Sequence, residues 1–248
     1  VGAPWEIYRV PGVTQDGRVI ELYTKSGAIG LYTSSLVLIP DYNIGLTLLV
    51  AGPSSPLLLL MEEALGTFIP AIEQVGKKQA AARYTGVYDD PSSGLSNSST
   101  ALVEISVDQG PGLVVSRWIS NNTDVLKGGQ DLLGLTSGYI DMRLYPTGLK
   151  NEVGRQKTVS YRAVSQLRPS NDTAGESTTD QTSISKAFAD ACPTWSGLDL
   201  SVYGLIGVDD FVFRTDSLGD VKSIEPRVTR KALQKRVSAI RVRNWCGI

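Results

Sequence analysis

From Trp5 to Val50 the apolar residues come in short β-branched runs, broken at regular intervals by turn residues. Trp5–Arg9 and Arg18–Thr24 read as strands, separated by Pro11-Gly12 and the turn Gln15-Asp16-Gly17. Leu31–Ile39 and Ile44–Val50 follow, with Pro40-Asp41-Tyr42-Asn43 between them. This is the pattern of an antiparallel meander joined by hairpins. The period then changes. Leu57, Met61, Leu65, Phe68 and Ile72 recur at helical spacing, with Leu58 and Ile69 widening the stripe. Ser54 or Ser55 can cap this helix and Pro56 suits its first turn. Pro70 is expected to kink or end it, and Gly76–Ala82 reads as a linker or fraying end. The leucine-rich face predicts a helix that covers one face of the preceding sheet.

Past Arg83 the chain returns to short strands and polar turns. Leu102–Val107, Leu113–Trp118, Tyr139–Tyr145 and Thr158–Val164 are the clearest strands, and Ile140, Met142 and Leu144 share one face. Asp210–Arg214 and Val221–Glu225 flank the turn Asp216–Asp220 as a hairpin. Ser170–Ser185, rich in Ser, Thr, Asp and Asn, reads as an exposed loop. The fold class expected is mixed but mostly β: an antiparallel sheet with a packing helix over residues 1–80, then an antiparallel β-barrel-like domain over 81–248.

Composition narrows the chemistry. The 248 residues are 42% hydrophobic with a net charge of −1, which leaves no whole-chain footprint for nucleic acid. The late basic run Arg227–Arg243 reads as a solvated face. The apolar stretch Ile44–Met61 is broken by Gly52–Pro56, so no membrane span is expected. The chain contains no histidine, which excludes Ser-His-Asp and Cys-His arrangements from its own residues and most zinc sites. No metal and no cofactor is expected. Cys192 and Cys246 fit one disulfide, or alternatively two buried thiols. The sequons at Asn97, Asn121 and Asn171 favour the oxidising compartment, and with it the disulfide and secretion. The chain opens Val1-Gly2-Ala3-Pro4-Trp5 without the charged and apolar segments of a signal peptide, so it reads as a processed or truncated secretory product.

Lys25-Ser26-Gly27 is a Lys-[Ser/Thr]-Gly triplet on a strand. It is followed by Gly30-Leu31-Tyr32-Thr33-Ser34, then Ile39-Pro40, an apolar glycine-containing strand and a helix. This order resembles the end of the transpeptidase-like domain in β-lactamase-related serine hydrolases of the class C and penicillin-binding type. Tyr84-Thr85-Gly86-Val87-Tyr88 and Gly110-Pro111-Gly112-Leu113 resemble the lipocalin-like β domain appended to fungal members. The resemblance implies roles. Lys25 supplies a cation to the acyl site, Ser26 a hydroxyl for a carboxylate or proton relay, Gly27 close approach of substrate, and the Ala28 N–H one oxyanion donor.

The nucleophile implied by the resemblance is a Ser-x-x-Lys motif well upstream of such a triplet, and only 24 residues precede Lys25. Ser183-Ile184-Ser185-Lys186 matches the spacing but lies downstream, beside the polar loop, and is rejected. Two readings remain. One is the C-terminal region of a secreted acyl-serine hydrolase, inactive alone, whose partners are its own upstream half and a small-molecule or peptide acyl substrate. The other is a non-catalytic β-barrel binding or structural module. The triplet's bland counterpart is an edge strand with a turn glycine.

Overall fold

The computed structural model describes residues 2–15, 17–52, 56–90, 100–132, 138–154, 156–168 and 197–236. The caps Ser54 and Ser55, the loop Ser170–Ser185, Ser183, both cysteines, Asn97 and Asn171 lie outside them. The chain divides into two compact units, residues 1–79 and 80–248.

In the first unit, β1 (Glu6–Val10), β2 (Ile20–Ile29), β3 (Tyr32–Ile39) and β4 (Ile44–Ala51) form an antiparallel sheet in chain order. Alternation sends Ile20, Leu22, Val37 and Ile39 to one face, where they are fully buried against Leu65 and Ile69 of helix α1 (Leu57–Tyr84). The packed stripe is narrower than the sequence suggests. Met61, Leu65 and Ile69, one turn apart, carry the contact, whereas Leu58 and Phe68 are exposed. Phe68, next in sequence to Ile69, sits about 100° around the helix from it.

Pro70 does not end α1, and Gly76–Ala82 is neither linker nor frayed end. Proline costs the helix one hydrogen bond and crowds the turn before it. Here that turn holds Gly66, which has open space around it. After Gly76 come Lys77, Lys78, Gln79 and three alanines, all strong helix formers that offset one glycine. Near the far end of the sheet, Glu73 of α1 accepts hydrogen bonds from the Gln15 N–H (2.8 Å) and the Tyr42 hydroxyl (2.7 Å). Burial, then the Glu73 contact, pushes the Tyr42 hydroxyl up to about 12.

The second unit is a closed barrel. It comprises β5 (Gly86–Asp89), β6 (Ala101–Ser106), β7 (Leu113–Ser120), the short β8 (Thr123–Asp124), α2 (Val125–Leu132), β9 (Tyr139–Val153), β10 (Gln156–Arg168), the hairpin β11 (Val202–Tyr203) and β12 (Ile206–Gly207), β13 (Asp210–Thr215), β14 (Val221–Pro226) and β15 (Leu233–Lys235). The barrel runs β6-β5-β15-β14-β13-β10-β9-β7, and β7 pairs back onto β6 to close eight strands. The mostly-β reading with antiparallel sheets and a barrel therefore holds.

Side chains fill the interior. Trp118 stacks edge-on against Phe211 (5.2 Å between centroids), and Phe213 meets Tyr161 and Tyr84 at 5.0 Å each. Met142 and Leu144 point inward as expected, and both are buried. Strands β9 and β10 run well past the expected Tyr139–Tyr145 and Thr158–Val164, because their polar outer segments pair with each other in a long hairpin beyond the apolar stretch. Helix α2 has no apolar run to announce it. It starts because the Asp124 carboxylate accepts the Leu126 and Lys127 N–H groups at 3.0 and 3.1 Å.

The described part of the basic run, Arg227–Arg236, is not a plain solvated face. Leu233 is buried in the barrel, and the run pairs with specific partners: Lys231 with Asp90, Arg236 with Asp89. Lys235 turns inward, its Nζ donating to the Arg83 carbonyl at 2.7 Å and lying 5.8 Å from the centre of the Tyr88 ring. That carbonyl is one of those left open at the end of α1, so the ammonium caps the helix. Burial draws the Lys235 amine below its ordinary value.

Candidate active site

The triplet lies on β2, as the sequence suggests. The β1 pairing stops at Glu6, opposite Thr24, so Lys25–Ile29 have no strand on that side among the described residues. On the other side they pair with Tyr32–Leu36 of β3. The result is a free strand edge carrying a lysine, a serine and a glycine, next to a concavity of about 470 Å³ lined by Gly27–Ile29, Tyr32–Ser34 and Leu49–Ala51.

Strand alternation directs Lys25 and Ser26 to opposite faces, yet one carboxylate gathers both. Glu6 accepts from Lys25 Nζ at 3.0 Å and from Ser26 Oγ at 3.4 Å, and its backbone carbonyl accepts from Thr24 Oγ1 at 2.9 Å. The Lys25 contact holds the Glu6 carboxyl below its usual range. Glu6 escaped the sequence reading. Its signal was the register of β1 on β2, a non-local pairing that no local motif encodes. Gly27 faces Ser34, whose Oγ lies 3.4 Å from the Gly27 carbonyl, and a Cβ at position 27 would sit 3.3 Å from that Oγ. Ala28 is exposed on the same free edge.

The surroundings are apolar and open. Ile29 (80% exposed), Tyr32 (65%) and Leu49 (78%) project around the concavity. Isolated exposed leucines are ordinary; these three apolar side chains stand together beside the free edge.

Of the three sequons, Asn121 is described. It is exposed in the two-residue turn between β7 and β8, where Asn121 and Asn122 both take positive φ (49° and 62°). No group of three metal-ligating side chains occurs among the described residues, and no helix among them is long and apolar enough to cross a membrane.

Comparison with known proteins places these observations. A "Beta-lactamase-like protein" of Arthroderma benhamiae is 28% identical over 96% of this chain and 42% of its own length. A probable hydrolase of a Phoma species is 27% identical over 56% of this chain and 23% of its own length. The chain thus spans less than half the length of these relatives. A penicillin-binding protein homologue from Pyrococcus abyssi, solved as an octamer, matches 68% of this chain and 36% of its own at 18% identity, with a TM-score of 0.20, too loose to carry an argument. The family model described as "Beta-lactamase-like-like, C-terminal domain" matches residues 76–237, which take in the end of α1 and the whole barrel. This chain belongs to that β-lactamase-related C-terminal domain family.

Proposed function

We propose that the chain is the C-terminal part of a secreted serine hydrolase that forms an acyl-serine intermediate with an ester or amide substrate. The observation that carries this reading is the free β2 edge, where Lys25 and Ser26 directly precede the residues, Gly27–Ile29, that line an apolar concavity. An acyl-transfer site needs a cation near the substrate carboxylate or the nucleophile, an edge to align the substrate and N–H donors for the oxyanion. Lys25 supplies the first, the edge from Lys25 to Ile29 the second, and the Ala28 N–H one of the third. The nucleophile, in a Ser-x-x-Lys motif, comes from an upstream portion of the same hydrolase. The greater length of the relatives supports that assignment, and the exposed Ile29, Tyr32 and Leu49 give the upstream portion a surface to cover. The filled barrel interior counts against the alternative of a binding module with a ligand in its lumen.

The test compares this chain with the full-length protein on a chromogenic ester and a β-lactam. The chain alone is expected to be inactive and the full-length protein active. Lys25→Ala in the latter should lower kcat/KM at least tenfold, about 1.4 kcal/mol. An unchanged rate for Lys25→Ala would reduce the triplet to an edge strand. Labelling of the isolated chain by a serine-directed reagent would place the nucleophile within it, with Ser183 the first residue to examine. Secretion, a Cys192–Cys246 disulfide, and glycans at Asn97, Asn121 and Asn171 belong to the same proposal. Peptide mapping of protein from a secreting eukaryotic host, without reduction and with and without glycosidase, tests them together.

A further inference from the structure

At one end of the barrel a cavity of about 570 Å³ opens between the last turn of α1 and the β9–β10 hairpin, a size ordinary for small-ligand sites. Its floor is apolar. Tyr84 and Tyr161, their rings 5.5 Å apart, line it together with Pro146 and Val159. Its rim is cationic. Arg83, Lys150 and Lys157 line it against a single carboxylate, Glu152, which lies 3.3 Å from Lys157. Arg83 and Lys150 form no ion pair among the described residues, and both are exposed.

A helix C-terminus would ordinarily make such a place negative. Here the Lys235 ammonium on the Arg83 carbonyl offsets part of that negative end. An apolar floor under two unpaired cations suits a molecule with a flat apolar body and one anionic group. The body removes floor from water, and the anion accepts charge-assisted hydrogen bonds.

We infer that this barrel-end cavity, floored by Tyr84 and Tyr161 and rimmed by Arg83 and Lys150, binds small aryl carboxylates. The inference does not rest on the role proposed for Lys25.

The experiment titrates the ¹⁵N-labelled chain with 2-naphthoate and, separately, with 2-naphthalenemethanol, which keeps the ring system and lacks the charge. Expected is saturable binding of naphthoate, with amide shifts at Arg83, Tyr84, Lys150 and Val159. The alcohol should bind at least roughly tenfold more weakly, as loss of a charge-assisted contact implies. Arg83→Ala with Lys150→Ala should weaken naphthoate by a similar factor, and Lys150→Glu alone should do the same should the double variant fail to fold. Lys127→Ala, remote on α2, should change nothing. Equal affinity for acid and alcohol overturns the inference. So does the absence of saturation at millimolar naphthoate, or shifts confined to Ile29, Tyr32 and Leu49.

Discussion

Arg143 grips Asp108 with both arms of its guanidinium, Nη1 to Oδ1 at 2.9 Å and Nη2 to Oδ2 at 2.6 Å. Its Nε reaches Asp141 at 2.9 Å, and Nη1 also donates to the Pro111 carbonyl at 3.0 Å. The clasp explains Gly110-Pro111-Gly112: a Cβ at Gly110 would lie 2.5 Å from Arg143 Nη1, and Gly112 has φ +72° with the Leu144 carbonyl 2.8 Å from where its Cβ would be.

Arg143→Ala is expected to cost about 3–5 kcal/mol in chemical denaturation, because it takes the nearer of two arginine partners from the almost fully buried Asp141 carboxylate and leaves it Arg168 at 3.4 Å. Asp108→Ala should cost clearly less, since Asp108 is half exposed and Arg143 keeps Asp141. The Arg143 contact also holds the Asp108 carboxyl below its ordinary value. A depressed carboxyl contributes stability that is complete above the unfolded value, about 3.9, and is lost as pH falls through the folded one. Asp108→Asn should therefore flatten the acid limb of the stability curve.

Gly86 has φ +139°, and a Cβ there would sit 3.2 Å from Lys235 Cε. Gly86→Ala is expected to destabilise the barrel by about 1–3 kcal/mol, as strained backbone does. Lys235→Met keeps the apolar stem but leaves the Arg83 carbonyl uncapped, and should cost about 1 kcal/mol. Hydrogen exchange at the last turn of α1 is the sensitive readout, and unchanged protection would show that the lysine does not cap the helix.

The Glu6 carboxyl should titrate below the ordinary glutamate value of about 4.3 when followed by carboxyl carbon resonances. Lys25→Ala should return it toward that value. A Glu6 titration indifferent to Lys25 would mean that the contact at the β2 edge is not formed in solution.

At the alkaline end, a phenol with a raised folded value contributes stability that is complete below the unfolded value, about 10, and is lost as pH rises through the folded one. For Tyr42 that window runs from about 10 to about 12. Tyr42→Phe should remove this part of the alkaline loss from the first unit. Tyr88 and Tyr161, both raised mainly by burial, act in the same direction in the barrel, so residue-resolved exchange must separate the two.

Strands with a clean alternation were legible in the sequence. Ile140-Asp141-Met142-Arg143-Leu144 and the hairpin around Asp216, whose carboxylate accepts the Leu218 and Asp220 N–H groups, followed from local pattern. Strands β5 and β15 were not legible. Each is short, and Tyr88 and Leu233 find their places only when the barrel closes. The length of α1 was obscured by Pro70 and Gly76, whose local penalties the surrounding helix formers outweigh. At the candidate site the triplet and its strand were legible, but Glu6 was not, because its meeting with Lys25 depends on how β1 lies against β2.

Barrel closure also sets an order of events during synthesis. Arg236 pairs with Asp89 across 147 positions, and β15 lies between β14 and β5 in the barrel. A ribosome must therefore deliver β15 before the cylinder can shut, and until then β5 and β14 each present an unpaired edge. Contacts this distant are slow to form, and open edges invite pairing with other chains. Placing β15, with Lys235 and the adjoining Arg236, between β14 and β5 covers both edges at once.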